Sequence, residues 1–435
     1  MYVNVIGAGL AGCEAAFQIA ERNIRVRLFE MKPRKMTPAH KSTDFCELIC
    51  SNSLKAARVE SAAGLLKEEM RRMNSLLMQC ADKCTVPAGG ALAVDRDIFS
   101  AMVTKRIRSH PMIDVIEDEV TEIPRDAVTV IATGPLTSDA LADKITELCG
   151  GGLHFFDAAA PIVTVESIDM DNAFTASRYD KGGDDAYINC PMNKEEYEVF
   201  HNELVNAERA PRHDVDVMNP KVYEGCMPVE ILAQRGLDTL RFGPMKPVGL
   251  KDPRTGHRPW AVVQLRTENA GKTMYNLVGF QTNLRFPEQK RVFGMIPALK
   301  NAEYVRYGVM HRNTFLDSPR VLNADYSLKS DRNIFFAGQM TGVEGYMESA
   351  SSGLIAGINA ALRVKNKPPF ILPKETMTGS LAAYISDIAV EDFQPMGANL
   401  GILPALDEHI RDKKLRAAAY AERALDSLKN IPDNR

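Results

Sequence analysis

The chain has 435 residues, more than one ordinary hydrophobic core accommodates, so two domains are expected. Hydrophobic residues make up 45% and charged residues 25%, which fits a globular protein and excludes a disordered or fibrous one. The net charge is −3, but residues 241–320 carry +9 and the rest −12, so that stretch reads either as a solvated face or as a phosphate-binding surface.

The first residues, "MYVNVIGAGLAG", lack a basic n-region and apolar h-region, and no apolar run is long enough to span a bilayer. The eight cysteines are scattered and too few for a disulfide framework. Cys46 with Cys50, and Cys80 with Cys84, have the spacing of half a zinc site, but no His follows at ligand distance, so no metal is expected. These features predict a reduced, cytoplasmic compartment.

Val3–Ile6 reads as a buried parallel strand, followed by Gly7, Gly9 and Gly12 in a G-x-G-x-x-G pattern. An Ala-rich helix then runs to Arg22, and a second strand, Arg25–Phe29, ends at Glu30. Gly7 permits the tight turn, Gly9 the approach of a pyrophosphate, and Gly12 close packing of helix on strand. The helix N-terminus presents amide donors, and Glu30 is placed to accept from a ribose hydroxyl. Strand, glycines, helix and acid together predict a dinucleotide site.

Residues 61–82 place Leu65, Leu66, Met70, Met73, Leu76, Leu77 and Cys80 at helical spacing, a core stripe. Asp95 is expected to N-cap the next helix. "AVTVIATGPL" is an apolar strand ending near Thr133 and Gly134, and it resembles the second fingerprint of two-part FAD proteins. After Gly150, short runs punctuated by Gly and Pro, among them "YEGCMPVEIL" and "LRFGPMKPVGL", read as strands of an inserted β-containing domain. "RNIFFAGQMTGVEGYMESASSGLIAGINAA" gives a strand, a glycine-bearing loop and a small-residue helix. It resembles the C-terminal flavin segment of the same superfamily, with Gln339 after Gly338 where an Asp is usual. The expected architecture is an α/β, Rossmann-like FAD-binding domain of the glutathione-reductase type. It is built from residues 1–150 and 305–435, with a smaller domain, 151–304, inserted for RNA or substrate. A charged amphipathic helix is predicted after Pro404.

The segments "NVIGAGLAGCEAA", "CELICSNSLK", "VPAGGALAVDR", "YEGCMPVE", "FGPMKPVGL" and "FFAGQMTGVEGYMESA" closely resemble the TrmFO family of folate- and FAD-dependent tRNA (uracil-5-)-methyltransferases. The chain is more distantly similar to the larger GidA-type flavoproteins. The resemblance implies formation of 5-methyluridine in the T-loop of tRNA, with FAD, NAD(P)H and 5,10-methylenetetrahydrofolate. Two alternatives stand beside it: the same chemistry on ribosomal RNA, and an NAD(P)H-flavin oxidoreductase acting on a small molecule. Because C5 of uracil is a poor nucleophile, that chemistry calls for a thiolate adding at C6 and a base removing the C5 proton.

The resemblance points to Cys226 as nucleophile and Cys50 as a partner near the flavin, with Glu224 as a base. Without the resemblance, each cysteine reads as a buried, inert thiol more often than as a catalytic one. The Ser-Asn-Ser after Cys50 looks like a helix start whose amides favour a thiolate. His311, Glu344 and Tyr346 are the expected folate neighbours. Arg241, Lys246, Lys251, Arg254, Arg258, Arg285 and Arg312 are the expected phosphate contacts.

Overall fold

The computed structural model describes every residue except 38, 152, 159, 181–186, 211–226, 269–270, 309, 391–392, 409 and 430–435. For 153–158, 180 and 310–314 it describes the backbone alone.

The apolar run Tyr2–Ile6 is the central strand of a five-stranded sheet. Across the sheet the order is Ile334–Phe336, Val128–Ile131, Tyr2–Ile6, Arg25–Glu30 and Ile113–Glu117, and every pair is parallel. Parallel neighbours need crossovers, and the helix Leu10–Ala20 supplies the first. The chain steps outward from Tyr2–Ile6 to one side, then returns on the other as Val128–Ile131. At such a reversal the loops leaving the carboxyl ends diverge and open a crevice, where ligands bind in α/β sheets.

Small residues let two helices meet at backbone distance over this sheet. A Cβ on Gly353, in the helix Tyr346–Val364, would stand 2.1 Å from the carbonyl oxygen of Ala11, and one on Gly357 would stand 2.6 Å from that of Ala15. The stripe of residues 61–82 forms two helices rather than one, Ala62–Arg72 and Leu76–Ala81, broken where Asn74 takes φ 60°. The buried carboxylate of Glu14 closes the break, accepting from Ser75 Oγ and from the amides of Leu76 and Leu77. Asp95 N-caps Arg96–Arg108 through the amides of Asp97 and Ile98. The last helix begins at Lys413, later than the charge pattern after Pro404 predicts.

One core draws on both ends of the chain, Val3 to Ile145 and Phe315 to Ala424, and a second on Val163 to Ala302. A six-stranded sheet backs the second core, with Ala261–Thr267 antiparallel between Ile188–Met192 and Met274–Leu277. Two runs read as strands are helical there: Val229–Gln234 and Thr239–Phe242. Short apolar runs do not distinguish the two periods, and tertiary contacts decide. Val229 and Ala233 face the second core, and the buried Glu230 carboxylate accepts from Thr282 Oγ1 and the Asn283 amide, each at 2.8 Å.

Candidate active site

The crevice begins at the glycine loop. Gly7 takes φ +96°, and a Cβ there would stand 2.7 Å from the carbonyl oxygen of Ala132. A Cβ on Gly12 would come to 1.7 Å from the Gly7 carbonyl oxygen, so that glycine is required by packing alone. Gly9 differs: nothing in the protein lies within 4 Å of the position its Cβ would take. It N-caps Leu10–Ala20 without a side chain, leaving the first turn open to the crevice. Internal packing does not call for a glycine at that position, whereas a pyrophosphate approaching the helix N-terminus does.

Glu30 is buried at the end of the second strand and lines the same space. Its carboxylate accepts from the amides of Ala8, at 2.8 Å, and Lys32, at 3.0 Å. The acid predicted to meet a ribose therefore also ties the glycine loop to its own strand.

Two adjoining volumes make up the crevice. The first runs from Glu30 past Gly9 to Thr133. The second runs from Gly9 past Thr133 and Gly134 to Cys50, Gly338, Gln339 and Tyr346. They share Gly9, His40, Glu47, Thr133 and Leu136, so together they form one elongated space that passes the start of Leu10–Ala20. Among the described residues no cluster of three His, Cys, Asp or Glu side chains is placed to hold a metal ion.

The Cys50 end is built from distant parts of the chain. No helix follows Cys50. Ser53–Ala56 is a strand, so the expectation of a helix start at Ser51-Asn52-Ser53 is corrected. The backbone there is held by guanidinium and hydroxyl groups instead. Arg96 donates to the carbonyls of Leu48, at 2.8 Å, and Ile49, at 3.3 Å, and Arg306 donates to that of Ile49 as well. Arg266 donates to Asn52 Oδ1 at 3.0 Å and to Ser51 Oγ at 2.5 Å. Tyr346 Oη accepts from the amides of Cys50, at 2.7 Å, and Ser51, at 3.2 Å, and burial holds this phenol well above its usual pKa. Three guanidiniums face one buried carboxylate, Glu268, which pairs with Arg96, so the loop carrying Cys50 lies in a positive field.

The other described cysteines lack this setting. Cys13, Cys46, Cys80, Cys84 and Cys190 are buried. Burial raises the Cys46 thiol well above its ordinary pKa, Cys80 to about 11 and Cys84 to about 12. Cys149 is half-buried, but it lies away from the crevice and is pushed up to about 12 by desolvation. Among the described cysteines, Cys50 alone combines partial exposure with a place on the crevice wall.

The remaining predicted residues divide. Cys226 and Glu224 lie outside the described residues. His311 and Arg312 stand opposite Asp157 and Phe156 in the antiparallel ladder of Met310–Phe315 with Leu153–Ala158, and only their backbone is described. Glu344 accepts from Gln339 Nε2 at 2.8 Å, so the departure from Asp at position 339 still brings a carboxylate beside the crevice, one residue removed. Lys246, Lys251, Arg254 and Arg258 are exposed, with Arg254 also bonded to Asp252. Arg241 stacks on Trp260 at 3.7 Å and pairs with Asp238, and Arg285 pairs with Glu208 at 2.8 Å. Sequence reasoning missed Arg266 and Arg306, and took Arg96 only as a helix start. It also missed His40, whose half-buried imidazole bonds Thr37 Oγ1 and is held below its usual pKa by desolvation and then by Lys32. Nothing local marks these residues; their partners lie far off in sequence.

A family model described as "Glucose inhibited division protein A" matches residues 2–368. The chain is 62% identical to the "Methylenetetrahydrofolate--tRNA-(uracil-5-)-methyltransferase TrmFO" of Acetivibrio thermocellus, over 98% of each chain. The chain belongs to the TrmFO family. Its TrmFO relative from Ligilactobacillus salivarius is 59% identical, over 99% of this chain and 98% of that one. In solved structures the fold is shared with Aquifex aeolicus GidA, at a TM-score of 0.71 and 16% identity, covering 98% of this chain and 73% of that one.

Proposed function

We infer that this protein methylates C5 of a uridine in tRNA, in the T-loop, taking the carbon from 5,10-methylenetetrahydrofolate. The observation that carries the reading is the crevice itself: a dinucleotide cradle at one end, and at the other a half-exposed thiol among guanidiniums. FAD bound there, reduced by NAD(P)H, supplies electrons and relays the one-carbon unit.

The chain's own residues do the rest. Gly7, Gly9, Gly12 and Glu30 seat the cofactor's dinucleotide, and Thr133, Gly134, Gly338 and Gln339 wall its ring end. Cys226 adds to C6 of the uracil, moving an electron pair toward C5 and O4. C5 takes up the methylene carbon, a base removes the C5 proton and the thiolate leaves; breaking of the methylene's bond to its donor and addition of a hydride equivalent drawn from NAD(P)H complete the methyl group and leave the C5–C6 double bond restored. Cys50 is the thiol beside the ring end and serves that proton transfer, with Glu224 as a further acceptor. His311, Glu344 and Tyr346 border the folate. Residues 151–304 form the inserted unit that receives RNA, with Lys246, Lys251, Arg254, Arg258, Arg285, Arg312 and Arg241 toward phosphates. No helix among the described residues is long and apolar enough to cross a membrane, and tRNA modification places the protein in the cytoplasm.

The test is incubation of the flavin-loaded protein with NADPH, methylenetetrahydrofolate and unmodified tRNA or rRNA fragments, followed by nucleoside analysis. 5-Methyluridine in tRNA is expected. NADPH oxidation without methylated nucleoside in any RNA overturns the reading, and product in rRNA alone moves the substrate. Cys226→Ala and Cys50→Ala are each expected to lower methylation by roughly 10²-fold or more with flavin retained. A Cys226→Ala protein with normal turnover removes Cys226 as nucleophile.

A further inference from the structure

Three aromatic rings form a column on the segment whose Arg306 reaches the Cys50 loop. Phe286 stacks on Tyr307 with centroids 4.7 Å apart and planes 15° from parallel. Tyr307 stacks in turn on Tyr304 at 4.9 Å and 12°. Tyr304 closes the inner end, its hydroxyl directed at the Gln289 carbonyl, whereas Phe286 at the outer end is 51% exposed. Aromatic pairs inside proteins adopt edge-to-face or offset arrangements without preference for a continued column. A column of near-parallel rings with one open face is an unfinished stack, and a planar partner completes it.

Its position gives the partner. Arg306, next to Tyr307 in sequence, donates to the carbonyl of Ile49, the residue before Cys50. Arg285, which N-caps the helix Phe286–Phe293, and Lys290 in that helix are exposed cations flanking the outer ring. The column also lies within the stretch, residues 241–320, that carries +9 in an otherwise acidic chain. An exposed aromatic face with Arg285 and Lys290 close to it in the chain suits a nucleobase, whose ring stacks while its phosphates meet basic side chains.

We propose that Phe286, backed by Tyr307 and Tyr304, is a stacking platform for an unpaired base of the RNA substrate, one that flanks the uridine delivered to the crevice. The inference rests on the tRNA reading above and names how the RNA is gripped. Stacking of this kind is sequence-tolerant, so it positions the strand and leaves the target uridine to be recognised in the crevice.

The experiment measures the Kd of flavin-loaded protein for unmodified tRNA at two salt concentrations, together with the KM for tRNA. Phe286→Ala is expected to raise Kd and KM roughly five- to a hundredfold, by a similar factor at both salts, with NADPH-driven flavin reduction unchanged. Lys251→Ala, by contrast, should flatten the salt dependence. Phe286→Trp is expected to keep wild-type affinity. Phe286→Leu, which keeps apolar bulk without a π-face, should behave like alanine. Wild-type Kd in the alanine variant, or full recovery by leucine, overturns the platform. Because Kd is read without turnover, a wild-type protein that binds tRNA but makes no 5-methyluridine overturns the methylation reading and leaves the stacking test to be decided on its own.

Discussion

The two ends of the crevice are built in opposite ways. At the dinucleotide end, Gly7, Gly9, Gly12 and Glu30 fall within one strand–helix–strand unit, and Glu30 fastens the loop just upstream of it. At the thiol end, Cys50 is positioned by Arg96, Arg266, Arg306 and Tyr346, partners 46 to 296 residues away from the atoms they bind or from Cys50 itself. The first end forms as soon as one βαβ unit forms. The second exists only when both cores and the helix Tyr346–Val364 have come together, so it should be the more readily lost to substitutions outside the crevice.

Substitutions that separate the ends test this contrast. The largest effect is expected within the glycine loop. Gly12→Ala drives a Cβ into the Gly7 carbonyl oxygen, 1.7 Å away, and should cost more than about 4 kcal/mol, seen as loss of folded, yellow protein. Gly9→Ala has free space within the protein, so the apo-protein should keep its melting temperature while flavin affinity falls. Equal melting temperatures for Gly12→Ala and Gly9→Ala would break the distinction between a packing glycine and a ligand glycine.

Next comes Tyr346→Phe. It removes the acceptor for the Cys50 and Ser51 amides and should cost about 1–3 kcal/mol, read by thermal unfolding. Flavin content should change little, because the proposed seat of the dinucleotide lies at the other end of the crevice. Flavin loss equal to that of Gly9→Ala would show that the two ends are not independent.

The smallest effect is expected from Arg306→Met, which keeps length but removes one of three guanidiniums around Cys50. Alkylation of Cys50 at pH 7, followed by peptide mass spectrometry, should slow roughly tenfold, with the rate restored at higher pH. The sign follows from the charge: a cation beside a thiol favours its ionised form, so its loss moves ionisation upward in pH. An unchanged pH profile would mean that Arg306 only braces the backbone. Arg96 and Arg266, paired with Glu268 and Asn52, would then set the remaining field.

Particular residues show how far the sequence could be read. The Gly7–Gly12 turn, the parallel strands around it and the small-residue helix from Tyr346 were legible, because each depends on neighbours a few positions away. Glu30 was legible as an acid at the strand end, though its bonds to Ala8 and Lys32 were not. The runs at Val229–Gln234 and Thr239–Phe242 were misread as strands because runs of only six and four residues satisfy either period until burial chooses one. The supposed helix start after Cys50 failed for a related reason: Ser and Asn favour caps, but Asn52 is instead buried and bound to the Val94 and Thr267 carbonyls.

By itself, then, the sequence determined the glycine turn between Tyr2–Ile6 and Leu10–Ala20, since such a turn is a local arrangement of glycines, strand and helix amides. It also carried the segments by which the family is recognised. Only the tertiary structure decided which described thiol faces the crevice, which arginines surround it and where an aromatic column stands open. Electrostatic fields and stacked rings depend on distances through space, and residues 50, 96, 266, 286 and 306 acquire theirs only when the chain has folded.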